Sequence, residues 1–422
     1  MSNENGLIAT IEAQKQELRH LQQRTLYKRA AFEKAIALVG KNSIKAITGP
    51  RRAGKSTFGM QLATHFSARD DFIYLNFDDQ FLIEVKNHHL LNNAIDHVYG
   101  DRKSSKRPKL ILLDEIQNLA KWELWLNYLQ RMGDNLIVTG SNANLLSREL
   151  STHLTGRSTE IEILPFSYTE YKKTGGTFES FYESSGFPDV LFNAQDKRTY
   201  IEGLKDSVLL KDIIQRFNLR NSVKIEACFD IIMSNPASLL SYKSIAKAVA
   251  VKSETTVRKY LQYLSDTYLF FELLPFSFKA KTFYRSAKKC YLIDNGFIDL
   301  ASQSVSKNLS KKLENLVFLE LIKSGLKPNR TLFYYRTKNN LEVDFLVKEQ
   351  LSINKLIQVS HSIDNLEARE RESRALVTAS RELKVNQLQI ITWKEEDQIK
   401  VDGYNINVIP VEKYLASREN LY

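Results

Sequence analysis

The eight residues Gly49-Pro50-Arg51-Arg52-Ala53-Gly54-Lys55-Ser56 follow the pattern G-x-x-x-x-G-K-[ST]. That spacing makes a cradle for a triphosphate. Glycines at its first and sixth positions let the main chain curl until successive N–H groups point inward at phosphate oxygens. Lys55 would reach the β- and γ-phosphates of ATP, and the Ser56 hydroxyl would complete the shell of Mg²⁺. Thr57 follows directly and is counted with the nucleotide-contacting set. A second motif comes later, where Leu110-Ile111-Leu112-Leu113 ends in Asp114-Glu115. Asp114 would hold Mg²⁺, directly or through water, and Glu115 would polarise the attacking water.

The run Asn135–Thr139 leads into Gly140-Ser141-Asn142. A polar side chain at that tip, Ser141 or Asn142, is expected to meet the γ-phosphate or the water. Asn142 is counted as nucleotide-binding, and the other is available to cap the next helix, around Leu145 and Leu146. Arg148 and Arg157 lie beyond. Arg157 is expected to act catalytically as an arginine finger on the γ-phosphate of a neighbouring subunit, which implies a homo-oligomer.

These residues need elements to position them. Short, continuously apolar runs at Ser43–Thr48, Asp71–Phe77, Leu110–Leu113 and Asn135–Thr139 alternate with helical stretches such as Trp122–Arg131. The pattern predicts an α/β fold, a parallel sheet covered on both faces, over about residues 30–165. The phosphate loop then falls between a strand and a helix starting near Lys55, so the helix dipole adds positive character at the phosphates. A strand apolar on both faces must lie inside the sheet, which brings Asp114 and Glu115 to the same edge as the loop. Long charged side chains and helical spacing of Leu18, Leu21, Leu26, Phe32 and Ile36 predict one helix from Gly6 to Val39. Residues 1–29 of it are taken as a separate N-terminal segment.

Composition bounds the rest. The chain has 422 residues, 60 Lys and Arg against 49 Asp and Glu, and a net charge of +11, which admits nucleic acid as a partner. Cys228 and Cys290 cannot make a disulfide framework, and seven scattered His without H-E-x-x-H argue against zinc. The polar N-terminus and the lack of a long apolar run exclude secreted and membrane-spanning classes, so a cytoplasmic protein with no membrane partner is expected.

Residues 166–218 read as a helical connector. Residues 219–285 contain helix, turn and helix: Ser241–Ala250, then Glu254–Leu264 with Ser253 as its cap. Ile245, Ala246, Val249, Val257, Leu261 and Leu264 face inward at helical spacing. Lys252, Thr255, Arg258, Lys259 and Gln262 would meet phosphates and base edges if the second helix enters a major groove. Leu269–Phe278 would form wing strands. From 286 to 422 helices and strands are mixed.

Taken together, the loop residues Gly49–Thr57, Leu112-Leu113-Asp114-Glu115-Ile116-Gln117, Thr139-Gly140-Ser141 and Gly156-Arg157 with Leu164–Tyr171 resemble a family of prokaryotic AAA-superfamily ATPases. The likeness continues through Gly186–Pro188, Lys289–Gly296, Leu313–Val317, Glu342–Phe345 and Ile357–Ser360, covering nearly the whole chain. The resemblance implies an AAA-type P-loop core, a winged-helix middle and a C-terminal α/β domain like a restriction endonuclease.

Nucleases of that type need an Asp on one strand and Glu-x-Lys on the next. Here Glu314 and Asp344 match the acids, but Gln358 stands for the second carboxylate and Ser360 for the lysine, with Lys355 and His361 the nearest replacements. The expectation is a domain that has lost cleavage and kept binding. The leading functional reading is Mg²⁺-dependent ATP binding and hydrolysis coupled to domain rearrangement on a partner, DNA foremost. The alternative is a slow nucleotide-gated regulatory or defence switch acting through an unknown protein partner. An ATP-dependent nuclease ranks third.

Overall fold

A computed structural model of the chain describes residues 2–23, 26–39, 44–67, 71–101, 108–141, 158–193, 195–219, 222–279, 286–301, 309–350 and 352–417. Two compact units divide it, Met1–Leu164 and Pro165–Tyr422.

The first unit is built on five short strands: β1 (Ile44–Thr48), β2 (Ile73–Asn76), β3 (Leu110–Asp114), β4 (Asn135–Gly140) and β5 (Ser158–Glu162). They pair in parallel in the order β2-β3-β4-β1-β5. Strands this apolar can only sit between helical layers, because both of their faces need cover. Ile111 and Leu113 join one core with Leu91, Ile95, Trp125 and Leu129. Leu110 and Leu112 join the opposite core with Phe58, Leu62 and Ala63. Helices α1 (Ser2–Leu21), α2 (Ala31–Val39), α3 (Lys55–Phe66), α4 (Gln80–Ile83), α5 (His88–Tyr99) and α6 (Trp122–Arg131) supply those layers. Strand β5, mostly polar and at the sheet edge, had no apolar pattern to announce it.

The long N-terminal helix expected over Gly6–Val39 is two helices, and the first belongs to the core. Leu7 and Ile11 of α1 are buried in the cluster that holds Ile111. Gln14 closes both backbone groups of Asn76 at the edge strand β2, donating to its carbonyl at 3.0 Å and accepting from its N–H at 2.9 Å. The helical pattern breaks at residues 26–29, which are not helical, and Arg29 points inward. Its guanidinium donates to the carbonyls of Ala53 at 3.1 Å and Leu164 at 2.6 Å, which satisfies a charge that would otherwise be costly to bury.

The second unit begins with α7 (Tyr168–Lys172), α8 (Phe178–Glu183), α9 (Pro188–Phe192) and α10 (Lys197–Ser207). The helical connector continues beyond α10 as a π-helix over Val208–Gln215. Three helices follow in the expected region, α11 (Ser222–Ser234), α12 (Tyr242–Ala248) and α13 (Glu254–Asp266). Strands β6 (Ser238–Leu239), β7 (Phe270–Leu273) and β8 (Lys289–Leu292) form an antiparallel sheet in the order β6-β8-β7. After α14 (Asn295–Ala301) and the largely buried α15 (Leu309–Lys323) comes a six-stranded mixed sheet. Its strands are β9 (Leu332–Arg336), β10 (Glu342–Glu349), β11 (Ser352–Val359), β12 (Gln387–Thr392), β13 (Asp397–Val401) and β14 (Tyr404–Pro410). They are ordered β13-β14-β12-β11-β10-β9, with α16 (Leu366–Leu383) packed on the sheet and α17 (Val411–Ala416) closing the chain. Among the described residues no helix is long and apolar enough to cross a membrane.

Candidate functional site

The loop between β1 and α3 has the shape its glycines promised. Gly49 has φ +144°, and a Cβ there would lie 2.0 Å from the carbonyl oxygen of Ile163, so no side chain fits. Gly54 turns the chain into α3 through φ +92°, and Arg52 before it is also left-handed at φ 63°. Gly49, Pro50 and Ala53 are buried, Arg51 and Gly54 partly so, and Arg52, Ser56 and Thr57 are exposed on the outer side.

Lys55 begins α3 and is only 4% exposed. Its ammonium folds back over the loop, donating to the Pro50 carbonyl at 2.9 Å and standing 3.7 Å from the Glu115 carboxylate. The Ser56 hydroxyl donates to Asp114 Oδ1 at 3.0 Å, which closes the gap between the loop and the tip of β3. Glu115 adopts φ 50°, a left-handed backbone costing a non-glycine residue about 1 kcal/mol. The turn carries its side chain back to Lys55, and such strain concentrates where function over-determines the backbone.

Thr139 in β4 joins the two acids. Its hydroxyl donates to Asp114 Oδ1 and accepts the Glu115 N–H at 3.0 Å. The reading of the sequence passed over this residue for Ser141 and Asn142. The strand register pairs Leu113 with Val138 and so sets Thr139 beside Asp114; aligned strand tips were the available signal. Ser141 is buried and helps hold Glu115 ionised. Asn142, Arg148 and Arg157 lie outside the described residues.

The two carboxyls are pushed apart. Burial would raise Glu115, but the Lys55 ammonium, Gln117, Arg51 and Ser141 outweigh it and hold the group below its ordinary value. Asp114 is pushed up to about 6 by burial and by the neighbouring Glu115 charge, against Thr139, Ser56 and Lys55. The donor set on offer to a cation, one hydroxyl and one carboxylate, is all oxygen and suits a hard divalent ion such as Mg²⁺. Thr139→Val leaves the Glu115 N–H unpaired and takes a donor from Asp114 Oδ1, which keeps Ser56, a loss of about 1–3 kcal/mol. ATP turnover is therefore expected to drop about ten- to a hundredfold, with Thr139→Ser within a few-fold of wild type. Unchanged steady-state turnover in Thr139→Val would remove Thr139 from the site.

A second constellation lies in the second unit. Glu314 on α15 and Asp344 on β10, the two acids expected to come together, do so around a lysine the sequence reading did not include. Lys289, the first residue of β8, is buried with its ammonium 2.7 Å from Glu314 Oε1, 3.0 Å from Asp344 Oδ1 and 2.9 Å from Glu342 Oε1. Lys289 is 55 positions before Asp344, beyond the reach of any short motif. Its one signal was a lysine heading an otherwise buried run, Lys289-Cys290-Tyr291-Leu292. His361 instead stacks on Trp393 with centroids 5.7 Å apart.

Glu314 is pushed up to about 7 by burial and the Asp344 charge, against the Lys289 ammonium and the Tyr291 hydroxyl. Its folded pKa lies above the ordinary 4.5, so the folded chain binds more protons between those values. Stability of this unit should therefore decline as pH rises from about 4.5 to about 7, by up to about 3 kcal/mol. Urea denaturation at pH 5, 6 and 7 checks this: Glu314→Gln should flatten the slope, and an undiminished slope would assign it to another group.

The exposed face expected on the second helix of the middle region is present. Lys252, Thr255, Arg258, Lys259 and Gln262 are all exposed, on α13 or just before it. Three are already engaged: the Arg258 guanidinium lies 4.0 Å over the Tyr242 ring, the Lys259 ammonium 5.7 Å over the Tyr263 ring, and Gln262 donates to Asp266 at 2.6 Å. Ile245, Ala246, Val249, Val257, Leu261 and Leu264 are buried as their spacing required.

Comparison with known proteins decides the family. A sequence profile described as an AAA domain matches residues 41–172, and two domains of unknown function, DUF8612 and DUF4143, match residues 176–307 and 310–414. An uncharacterized protein of Methanocaldococcus jannaschii is 36% identical over 407 residues, covering 88% of this chain and 88% of that protein. The chain belongs to this family of AAA-domain proteins. A second member, from Haemophilus influenzae, is 28% identical over 88% of this chain and 94% of its own length. Similar solved structures include AMPPCP-bound DnaA from Aquifex aeolicus, 17% identical, covering 56% of this chain and 86% of DnaA at a TM-score of 0.28. Another is Caenorhabditis elegans PCH-2, 16% identical, covering 59% of this chain and 71% of PCH-2 at a TM-score of 0.29. In this AAA-domain family member the matched region contains the whole constellation from Gly49 to Thr139.

Proposed function

We propose that the chain is a Mg²⁺-dependent ATPase whose nucleotide state acts on a nucleic-acid or protein partner through its second half. The observation that carries this is the convergence of Lys55, Ser56, Asp114, Glu115 and Thr139 on one sheet edge beside the curled loop. Backbone N–H groups of residues 51–54 and the first turn of α3 would grip the phosphates, with Lys55 neutralising their charge. Ser56 and Asp114 would hold Mg²⁺, which when bound offsets charge on the transferring phosphoryl group. Glu115, kept ionised, would orient the attacking water and accept its proton, while Thr139 fixes both acids. Arg157 is assigned the finger supplied by a neighbouring copy.

The domain reading follows the same line: core 30–165 with the N-terminal segment 1–29, which holds α1, packed on it, connector 166–218, winged helix 219–285 and nuclease-like 286–422. The helix-turn-helix with its three-stranded sheet favours DNA as the partner, because the exposed side of α13 carries Arg258 and Lys259, with Lys252 just before it. Fluorescence anisotropy with duplex DNA at increasing salt tests this. Neutralising those three residues should weaken binding at 50 mM salt by at least tenfold and reduce the salt slope by about 2–3. An unchanged slope would move the partner from DNA to protein, as the slow-switch reading requires.

A further inference from the structure

Restriction-endonuclease-like chemistry at residues 286–422 would call for a divalent metal held by Glu314 and Asp344, and the residues present do not fit one. Gln358 offers a neutral amide, and its Oε1 accepts the Asp344 N–H at 3.3 Å. Both oxygens of Asp344 are committed, Oδ1 to Lys289 at 3.0 Å and Oδ2 to the Val359 N–H at 2.9 Å. Glu314 Oε1 accepts from Lys289 at 2.7 Å and from the Tyr291 hydroxyl at 2.6 Å. Among the described residues no group of three or more His, Cys, Asp or Glu side chains is disposed to hold a metal.

We infer that Lys289 is the resident cation of this pocket: its ammonium occupies the place between Glu314 and Asp344 that a divalent metal would take, and so keeps the domain folded and metal-free. An ammonium has three N–H donors, and three carboxylates stand within 3.0 Å of this one. Burial fixes the choice. Lys289 is 2% exposed, Asp344 6% and Glu314 8%, so the carboxylates cannot be left to water and must be paired within the protein. Nor can a hydrated metal ion share the space, since it would place a second positive charge against the buried ammonium. The lysine comes from a different sheet than Asp344, so the pair also ties β8 to β10 across α15.

This builds on the reading of residues 286–422 as a nuclease-like fold without cleavage chemistry, and the experiment separates the two. Mn²⁺ binding to the full-length, nucleotide-free chain is followed by electron paramagnetic resonance for wild type, Asp344→Asn, Lys289→Ala and the Lys289→Ala/Asp344→Asn double variant. Wild type should take up no Mn²⁺ that depends on Asp344. Lys289→Ala should gain one site, tightening Mn²⁺ binding at least tenfold, and the double variant should lose it. Should Lys289→Ala prove unfolded, millimolar Mn²⁺ is expected to restore its circular dichroism as a substitute counter-ion. Asp344-dependent Mn²⁺ binding by wild type would overturn the inference. So would a folded Lys289→Ala that binds none, or an unfolded one that Mn²⁺ fails to restore. Plasmid cleavage by wild type that vanishes in Asp344→Asn would instead defeat the loss-of-cleavage reading.

Discussion

Glu115→Gln is expected to lower steady-state ATP turnover by about a hundred- to ten-thousandfold, with MgATP affinity changed only a few-fold. Three observations set this expectation. The carboxylate sits at the sheet edge where β3 delivers it, and its backbone is held at φ 50° to bring it there. Its charge is kept by Lys55 at 3.7 Å, with Gln117 hydrogen-bonded to it as well. The amide of Gln keeps the shape and most hydrogen bonds but cannot accept a proton from water. Loss of turnover without loss of binding is therefore the signature of a base, measured by a coupled phosphate assay beside nucleotide titration. Parallel loss of both would make Glu115 a structural partner of Lys55, and undiminished turnover would remove it from the reaction.

Lys55→Ala should have the second large effect, on binding. The ammonium is almost wholly buried and bridges the loop carbonyl of Pro50 and the acid at Glu115. Removing it takes away a buried positive charge placed to meet the triphosphate and leaves Glu115 without the cation 3.7 Å away. Truncating one partner of a buried charge pair costs about 2–5 kcal/mol, which is about thirty- to several-thousandfold in affinity. Glu115 would then rise toward neutrality under the burial that already opposes its ionisation. Turnover at saturating ATP should fall as well, a double deficit that separates Lys55→Ala from Glu115→Gln.

How far the sequence reached depended on how local the determinant was. The phosphate loop was legible because glycine, lysine and serine at fixed offsets have one efficient use between a strand and a helix. Asp114 and Glu115 followed because a strand as apolar as Leu110–Leu113 can only be internal. Thr139 was not legible as a site residue. Its role comes from strand register, which places it beside Asp114 only once the sheet is assembled. The helix break before Ala31 was hidden because Arg29 looks helix-favouring, whereas its partners are carbonyls 24 and 135 residues away. Lys289 was hidden for the same reason, since it meets Glu314 and Asp344 across 25 and 55 residues. Strand β5, Ser158-Thr159-Glu160-Ile161-Glu162, carries too many polar residues to show an apolar pattern.

Isothermal titration of the full-length chain with ATP in the presence of Mg²⁺ bears most directly on the reading of residues 49–56 as a triphosphate grip. Wild type should give a saturable heat with one site per chain, and Lys55→Ala should give none over the same concentrations. Equal heats from the two proteins, or none from wild type, would contradict it.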